Sequence, residues 1–227
     1  MIIETKDFSL NSGERQVGIT LSEIRPDHLF RYQLAVNLIQ EHFRENPLLI
    51  FDIFCGNGYG TYSLAKAFTE SLCFGVDGSK EAIDLANVHY ILPNTIYSQK
   101  LSPIYIPSGV VDVVICMESL EHVQEDRLML HCLCESLTKN GLAIISVPND
   151  EVHSLEKNPH KFHFRHYSDS EFRAILPSGF SIIRQFGQDV YYFRPDGTNT
   201  FTLLTPSEMS PREGYRGQVS VYAIKRD

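Results

Sequence analysis

The chain has 227 residues, 43% hydrophobic and 21% charged, with a formal net charge of −8. That length suits one α/β domain able to bury about 70 to 75% of its unfolded surface, and the composition excludes a disordered or fibrous chain. The acidic balance gives no general attraction to a phosphate backbone, so a nucleic-acid partner would need the local patch of Lys161, His163, Arg165 and His166.

Up to about Arg25 no periodicity is sustained. Pro26 then suits a first helical position, and Phe30, Leu34, Ala35, Leu38 and Ile39 follow at helical spacing. They predict an amphipathic helix over about 26–43, ended by Asn46-Pro47. An alternation of apolar strand-like runs and helical stretches comes next. Leu48 to Ile53 is the first strand, running into a glycine loop, with Leu64, Ala65 and Phe68 on the following helix. Cys73 to Val76 is the second, closed by Asp77, and Ser79 can cap a helix carrying Ala82, Ile83 and Ala86. Thr95 to Tyr97 and Val111 to Cys116 follow as strands three and four. Leu130, Leu133 and Leu137 mark a helix stopped by Asn140-Gly141, and Leu142 to Val147, ended by Pro148, is strand five. Two further strands, Phe180 to Phe186 and Val219 to Ile224, enclose a polar, aromatic-rich insertion over about 188–217. Fully apolar strands alternating with helices predict a mostly parallel sheet covered on both faces. The insertion reads either as a loose loop or, through Tyr191, Tyr192, Phe193 and Phe201, as an ordered cover over a substrate.

Five cysteines, Cys55, Cys73, Cys116, Cys132 and Cys134, form no Cys-x-x-Cys pair and read as small buried hydrophobes in a reducing compartment. The first ten residues lack the features of a signal peptide, and no stretch approaches the roughly 18 apolar residues of a membrane span. A cytoplasmic location is expected, with residues 1–227 forming one domain.

The strand-loop-helix Asp52-Ile53-Phe54-Cys55-Gly56-Asn57-Gly58-Tyr59-Gly60 lets backbone N–H groups and a positive helix end approach a ligand closely. Its spacing, Gly-x-Gly-x-Gly, differs from the Gly-x-Gly-x-x-Gly of dinucleotide sites, which disfavours a nicotinamide cofactor. Asp77, at the end of the next strand, stands where a carboxylate takes both hydroxyls of a ribose.

With these motifs the chain resembles the class I S-adenosylmethionine-dependent methyltransferases. The resemblance implies their Rossmann-like fold, a seven-stranded sheet with the last strand antiparallel, and S-adenosylmethionine as cofactor. By the same likeness Asp52, Cys55, Gly56, Gly58 and Tyr59 surround the methionine moiety, Asp77 and Gly78 the ribose, and Met117 lies near the cofactor. Gly13-Glu14-Arg15, Asp27-His28-Leu29-Phe30-Arg31-Tyr32, Pro148-Asn149 and Asn158-Pro159 resemble segments of methyltransferases associated with glycan and polysaccharide biosynthesis. They imply O-methylation of a sugar, as a nucleotide sugar or in a glycan intermediate. Arg15 and Tyr32 become candidates for the cofactor carboxylate, with simple packing as their other reading. Gln99-Lys100 stand where that pattern has Gly-Asp, which leaves the adenine contact unassigned.

An alcohol acceptor must lose its proton, to a general base or with the help of a metal. Glu118-Ser119-Leu120-Glu121-His122 follows strand four, and on a helical turn Glu118, Glu121 and His122 would share one face. The cluster resembles the Glu-x-x-Glu-His of ubiquinone-biosynthesis O-methyltransferases and of small-RNA 2′-O-methyltransferases, where it binds metal. His163, nine residues before Phe172, matches the further histidine of the RNA enzymes. Glu118, Glu121, His122 and His163 are therefore a candidate site for Mg²⁺ or Mn²⁺, and His122, Glu118 and His163 candidate catalytic groups; the metal-free reading makes His122 a base acting alone. A metal-assisted RNA 2′-O-methyltransferase and a non-catalytic nucleoside-binding module are the alternative functions.

Overall fold

The structure, a computed structural model, describes residues 9–44, 47–193 and 201–227. Five strands, β1 (Leu49–Ile53), β2 (Leu72–Asp77), β3 (Thr95–Gln99), β4 (Val111–Met117) and β5 (Leu137–Pro148), alternate with α2 (Tyr59–Ala67), α3 (Lys80–His89) and α4 (Asp126–Glu135), after an N-terminal α1 (Pro26–His42). α5 (Asp169–Ile175), β6 (Phe180–Gln188), a hairpin of β7 (Tyr191–Phe193) and β8 (Phe201–Leu203), β9 (Arg212–Glu213) and β10 (Val219–Arg226) complete it. The sheet order is β3-β2-β1-β4-β5-β10-β6-β9; β1 to β5 pair in parallel, and β10 runs antiparallel to β5 and β6. This is the expected Rossmann-like methyltransferase fold.

The sheet holds eight strands where seven were expected. The addition is β9, whose two exposed residues pair with Phe186 and Gly187 at the edge of β6 and carry no periodic signal in the sequence. The second difference concerns Asn140-Gly141, which lie inside β5 rather than ending a helix. α4 stops at Glu135, and Leu137 already pairs with Val111. The register then shifts between Val111 and Val113, so residues 138–141 form an irregular stretch tied back by a Thr138 hydroxyl bond to Asp112.

Alternation along the strands divides the core. Ile50, Val113, Ile115, Leu142, Ile144, Val221 and Ala223 face α1, α2 and α3 through Ile39, Leu64 and Ala86. Their neighbours Val114, Cys116, Ala143, Ile145, Tyr222 and Ile224 face α4 and α5 through Leu130, Leu133 and Phe172. A period of two on strands meeting helices on both sides is the physical reason these runs read as continuously apolar. The cap expected at Ser79 is present, its hydroxyl accepting from the Ala82 N–H. All five cysteines are free, and Cys134 is wholly buried against the α4 side of the sheet.

Parts of the 188–217 insertion are regular. Gln218 anchors its start: its amide oxygen accepts from the N–H groups of Val190 and Tyr191 at 3.0 and 2.9 Å, and its amide nitrogen donates to the Tyr191 carbonyl. The stretch 194–200 of the expected cover lies outside the described residues. Among the described residues no helix is long and apolar enough to cross a membrane.

Candidate active site

β1 and β4 flank the point where the strand order reverses, the place where open α/β sheets bind ligands. Immediately after them, Phe54 and Glu118 hold φ of 60° and 47°. The left-handed region costs a side-chain-bearing residue about 1 to 2 kcal/mol, and both residues line one cavity of about 340 Å³. Strain therefore concentrates where the loops leave the two central strands.

The glycine loop forms the floor of this cavity. The Cys55 N–H donates to the Val76 carbonyl and the Gly58 N–H to the Cys55 carbonyl, closing the turn. Gly58, at φ 92°, is the N-cap of α2. At Gly56 a Cβ would meet nothing within 4 Å, so the loop backbone opens into the cavity. Asp77 completes the floor. Its Oδ2 accepts from the Gly56 N–H at 3.0 Å and its Oδ1 from the Ser79 N–H at 2.8 Å, while Arg15 pairs with Oδ1 at 3.4 Å. With four lone-pair sites on a carboxylate, Asp77 retains capacity for a ligand hydroxyl. An open glycine backbone beside a held carboxylate fits the cofactor the motifs imply.

Seven of the ten residues assigned to the cofactor by resemblance line the cavity: Arg15, Tyr32, Cys55, Gly56, Tyr59, Asp77 and Met117. Asp52, Gly58 and Gly78 do not. Asp52 is buried behind Tyr32, accepting from the Tyr32 hydroxyl at 3.0 Å and the Thr61 hydroxyl at 2.7 Å. Burial raises its carboxyl to about 7, against these two hydrogen bonds, which pull it down. Gly78 turns its carbonyl to the Gln99 amide, so the side chain standing where the family pattern has Gly-Asp folds back onto the loop.

Beyond Met117 the wall becomes polar and carries the groups with acid-base chemistry. Leu120–His122 is a single 3₁₀ turn, and Glu118 sits outside it at its left-handed φ, so the expected shared face of Glu118, Glu121 and His122 is not formed. Glu121, His122 and His163 do come together, one ligand atom from each lying within 4.8 Å of the others. His163 arrives from the loop between β5 and α5, which the Phe164 N–H fastens to the Glu121 carbonyl at 2.9 Å. Burial, reinforced by neighbouring imidazoles, drives His163 down to about 2, so it is neutral. Glu118 instead anchors its own N–H on Ser146, with its buried Oε1 lacking a hydrogen-bond partner among the described residues. Desolvation raises its carboxyl above the usual range even though Arg31 opposes the shift.

Two features lay outside sequence reasoning. Glu14 reaches His122, 3.3 Å from Oε1 to Nδ1, while the adjacent Arg15 reaches Asp77. Gly13-Glu14-Arg15 was legible as a resemblance, but nothing local says that Glu14 points at an imidazole. The second is a buried network: Arg31 donates to the Gln188 amide oxygen at 2.5 Å and pairs with Asp27, and Gln188 donates to the Asp27 and Met209 carbonyls. It binds α1 to the end of β6, residues 157 positions apart; the segment Asp27 to Tyr32 stood out in the sequence as a resemblance, but nothing there pointed to Gln188 as the partner of Arg31.

Comparison with known proteins agrees with this geometry. A family profile described as "Methyltransferase domain" matches residues 28–200. A ubiquinone biosynthesis O-methyltransferase of Azotobacter vinelandii is 26% identical over 169 residues, 73% of this chain and 68% of that protein. The mitochondrial enzyme of the same description from Schizosaccharomyces pombe is 33% identical over 122 residues, 49% of this chain and 43% of its own length. The chain thus spans about two thirds of the first relative and under half of the second. Among solved structures, magnesium protoporphyrin IX methyltransferase from Synechocystis, with bound S-adenosylhomocysteine, superposes with a TM-score of 0.63 at 19% identity, covering 94% of this chain and 90% of that one. A Haloferax volcanii putative methyltransferase complex with the Trm112 activator gives 0.65 at 18% identity, covering 88% and 90%. The chain belongs to the methyltransferase-domain family and is a class I S-adenosylmethionine-dependent methyltransferase.

Proposed function

We propose that the protein transfers a methyl group to a hydroxyl oxygen of a small-molecule acceptor, with Gly56, Asp77 and Met117 on the cofactor side of the cavity and Glu121, His122 and His163 on the acceptor side. The observation that carries this reading is that cluster, a carboxylate and two imidazoles on the wall of the cavity that the glycine loop floors. When bound, S-adenosylmethionine supplies a methyl group on a sulfonium sulfur, open to in-line displacement. The chain must then place the acceptor and give its proton somewhere to go. His122, braced by Glu14, is the base in this reading, and neutral His163 stands beside it with ring centroids 4.6 Å apart. The cluster also fits a divalent cation: Glu121, His122 and His163 would hold Mn²⁺ more readily than Mg²⁺, given two imidazoles, and the ion would make a bound hydroxyl more acidic. Arg15, paired with Asp77, and Tyr32, whose hydroxyl donates to Asp52, line the same cavity.

For the acceptor, the glycan-type segments favour a sugar hydroxyl, and the names of the curated relatives favour a hydroxyl of a ubiquinone-biosynthesis intermediate. Both are hydroxyl oxygens whose proton must leave, a phenol giving it up more readily than a sugar hydroxyl. RNA is disfavoured by the patch that would have to bind it: Arg165 is paired with Asp126 at 2.6 Å, and burial lowers His163 and His166 toward the neutral form.

The test is a transfer assay with methyl-labelled cofactor against nucleotide sugars, phenols and catechols, amines and RNA, with and without chelator. Labelled ether product from a small alcohol is expected. Label on amines or RNA alone would overturn the acceptor assignment, and full activity of Glu121→Ala in the presence of chelator would overturn the metal.

A further inference from the structure

Four of the nine histidines lie in the loop between β5 and α5, at 153, 160, 163 and 166, and their hydrogen bonds determine where the protons are. His166 is buried at 7% exposure, with Nδ1 2.6 Å from the backbone carbonyl of His153. A carbonyl can only accept, so His166 Nδ1 carries a hydrogen. A neutral imidazole has one N–H, which leaves His166 Nε2 as an acceptor. The contact between that Nε2 and His163 Nδ1 is 2.8 Å, and its hydrogen must come from His163. His163 is then the Nδ1–H tautomer, and its Nε2 has a bare lone pair on the ring edge away from His166. With His163 Nδ1 engaged by His166, Nε2 is the ring nitrogen left to serve the cluster that His163 forms with Glu121 and His122.

Both ends of this relay are fixed to the fold. The His153 carbonyl belongs to a turn in which the His153 N–H donates to the Asn149 carbonyl at 2.8 Å, and the Asn149 N–H and amide are themselves held by Gln218 and Gly217. On the other side, the residue after His166 is tied by the Tyr167 N–H to the Pro148 carbonyl.

We propose that His166 is a positioning residue that, with the His153 carbonyl, locks His163 as the Nδ1–H tautomer and so presents the Nε2 lone pair to the Glu121–His122 edge of the cavity. Such outer partners orient a ligating or basic imidazole and raise its basicity. The use of that lone pair rests on the function proposed above; the tautomer does not.

The experiment separates the two. Histidine-ring ¹⁵N–¹H correlation spectra of the metal-free full chain at pH 7.5 should show His163 protonated on Nδ1 and bare on Nε2. His166→Gln keeps an acceptor for His163 and a donor for the His153 carbonyl, and should preserve that signature. His166→Leu keeps neither and should give averaged tautomers. Titration with Mn²⁺ should show affinity lowered about 10- to 100-fold in His166→Leu and largely recovered in His166→Gln. A proton on His163 Nε2 in the unmodified protein, or an unchanged His163 signature in His166→Leu, overturns the proposal. The expected signatures together with no Mn²⁺ binding to the unmodified protein would uphold the role of His166 and remove the metal from the proposed function.

Discussion

Replacing Asp52 by Asn should change how stability depends on pH. Asp52 is 1% exposed, and burial raises its carboxyl from 3.8 to about 7, although the Thr61 and Tyr32 hydroxyls both donate to it. At about 1.4 kcal/mol per decade, the ionised form is disfavoured in the folded state by about 4 kcal/mol. The sign follows from proton counts: between pH 4 and 7 the folded state keeps a proton that the unfolded state has lost, so stability falls as pH rises. This contribution is fully present below about pH 4 and gone above about pH 7. Asn cannot titrate. It can accept from Tyr32 through its oxygen and donate to Thr61, whose hydroxyl can turn to receive it. Urea unfolding of both proteins without cofactor, at half-unit steps from pH 4.5 to 8, should give a difference in ΔG that swings in favour of Asp52→Asn by a few kcal/mol across that window. A flat difference curve would mean that Asp52 is ionised in the folded protein throughout, and the argument from burial would fail.

Asp77→Ala should weaken S-adenosylhomocysteine binding by about 1.5 to 3 kcal/mol, the range for hydrogen bonds to a charged group; calorimetry giving unchanged affinity would remove Asp77 from the ribose site. Gly58→Ala should destabilise the fold by about 2 to 4 kcal/mol, because φ is 92° and the new Cβ would stand 2.7 Å from the Ala86 Cβ and 2.9 Å from the Tyr97 ring. A denaturation midpoint within error of the unmodified protein would show that the loop does not need that conformation. Tyr191→Ala, at the cavity rim beneath the Arg25 guanidinium, should raise the KM for the acceptor several-fold and leave S-adenosylhomocysteine affinity unchanged. Equal losses in both would place Tyr191 in the cofactor half instead.

The glycine-loop side of the cavity was legible because its determinants are local. A strand, a glycine turn and a helix start lie within a dozen residues around Gly56, and Asp77 ends the adjacent strand in register with that turn. Periodicity sufficed for β1, β2 and β4, whose runs are dominated by buried apolar residues, whereas β3 is a short, half-exposed Thr-Ile-Tyr-Ser-Gln run. Periodicity failed at Leu137, which fits the helical spacing of Leu130 and Leu133 but pairs with Val111, α4 having ended at Glu135. Asp52 shows the limit of motif reasoning even in the legible half: resemblance placed it at the cofactor, whereas the close packing of Tyr32 over Gly60 interposes a ring between the carboxyl and the cavity.

The wall that carries the imidazoles has the opposite character. Glu14, Glu121, His163 and Tyr191 come from four separate segments, and the contacts that hold them carry no sequence period: the Phe164 N–H on the Glu121 carbonyl fastens the His163 loop, and the Gln218 amide accepts from the Tyr191 N–H. A chemical signature such as Glu-x-x-Glu-His names candidate groups but not their φ, and with Glu118 at a left-handed φ the expected four-ligand site is reduced to a cluster of Glu121, His122 and His163. Glu118 stays on the cavity wall with its carboxyl raised by burial and its N–H held by Ser146. The different settings of Glu118 and Glu121 thus follow from backbone conformation, which residue types in the right order do not specify.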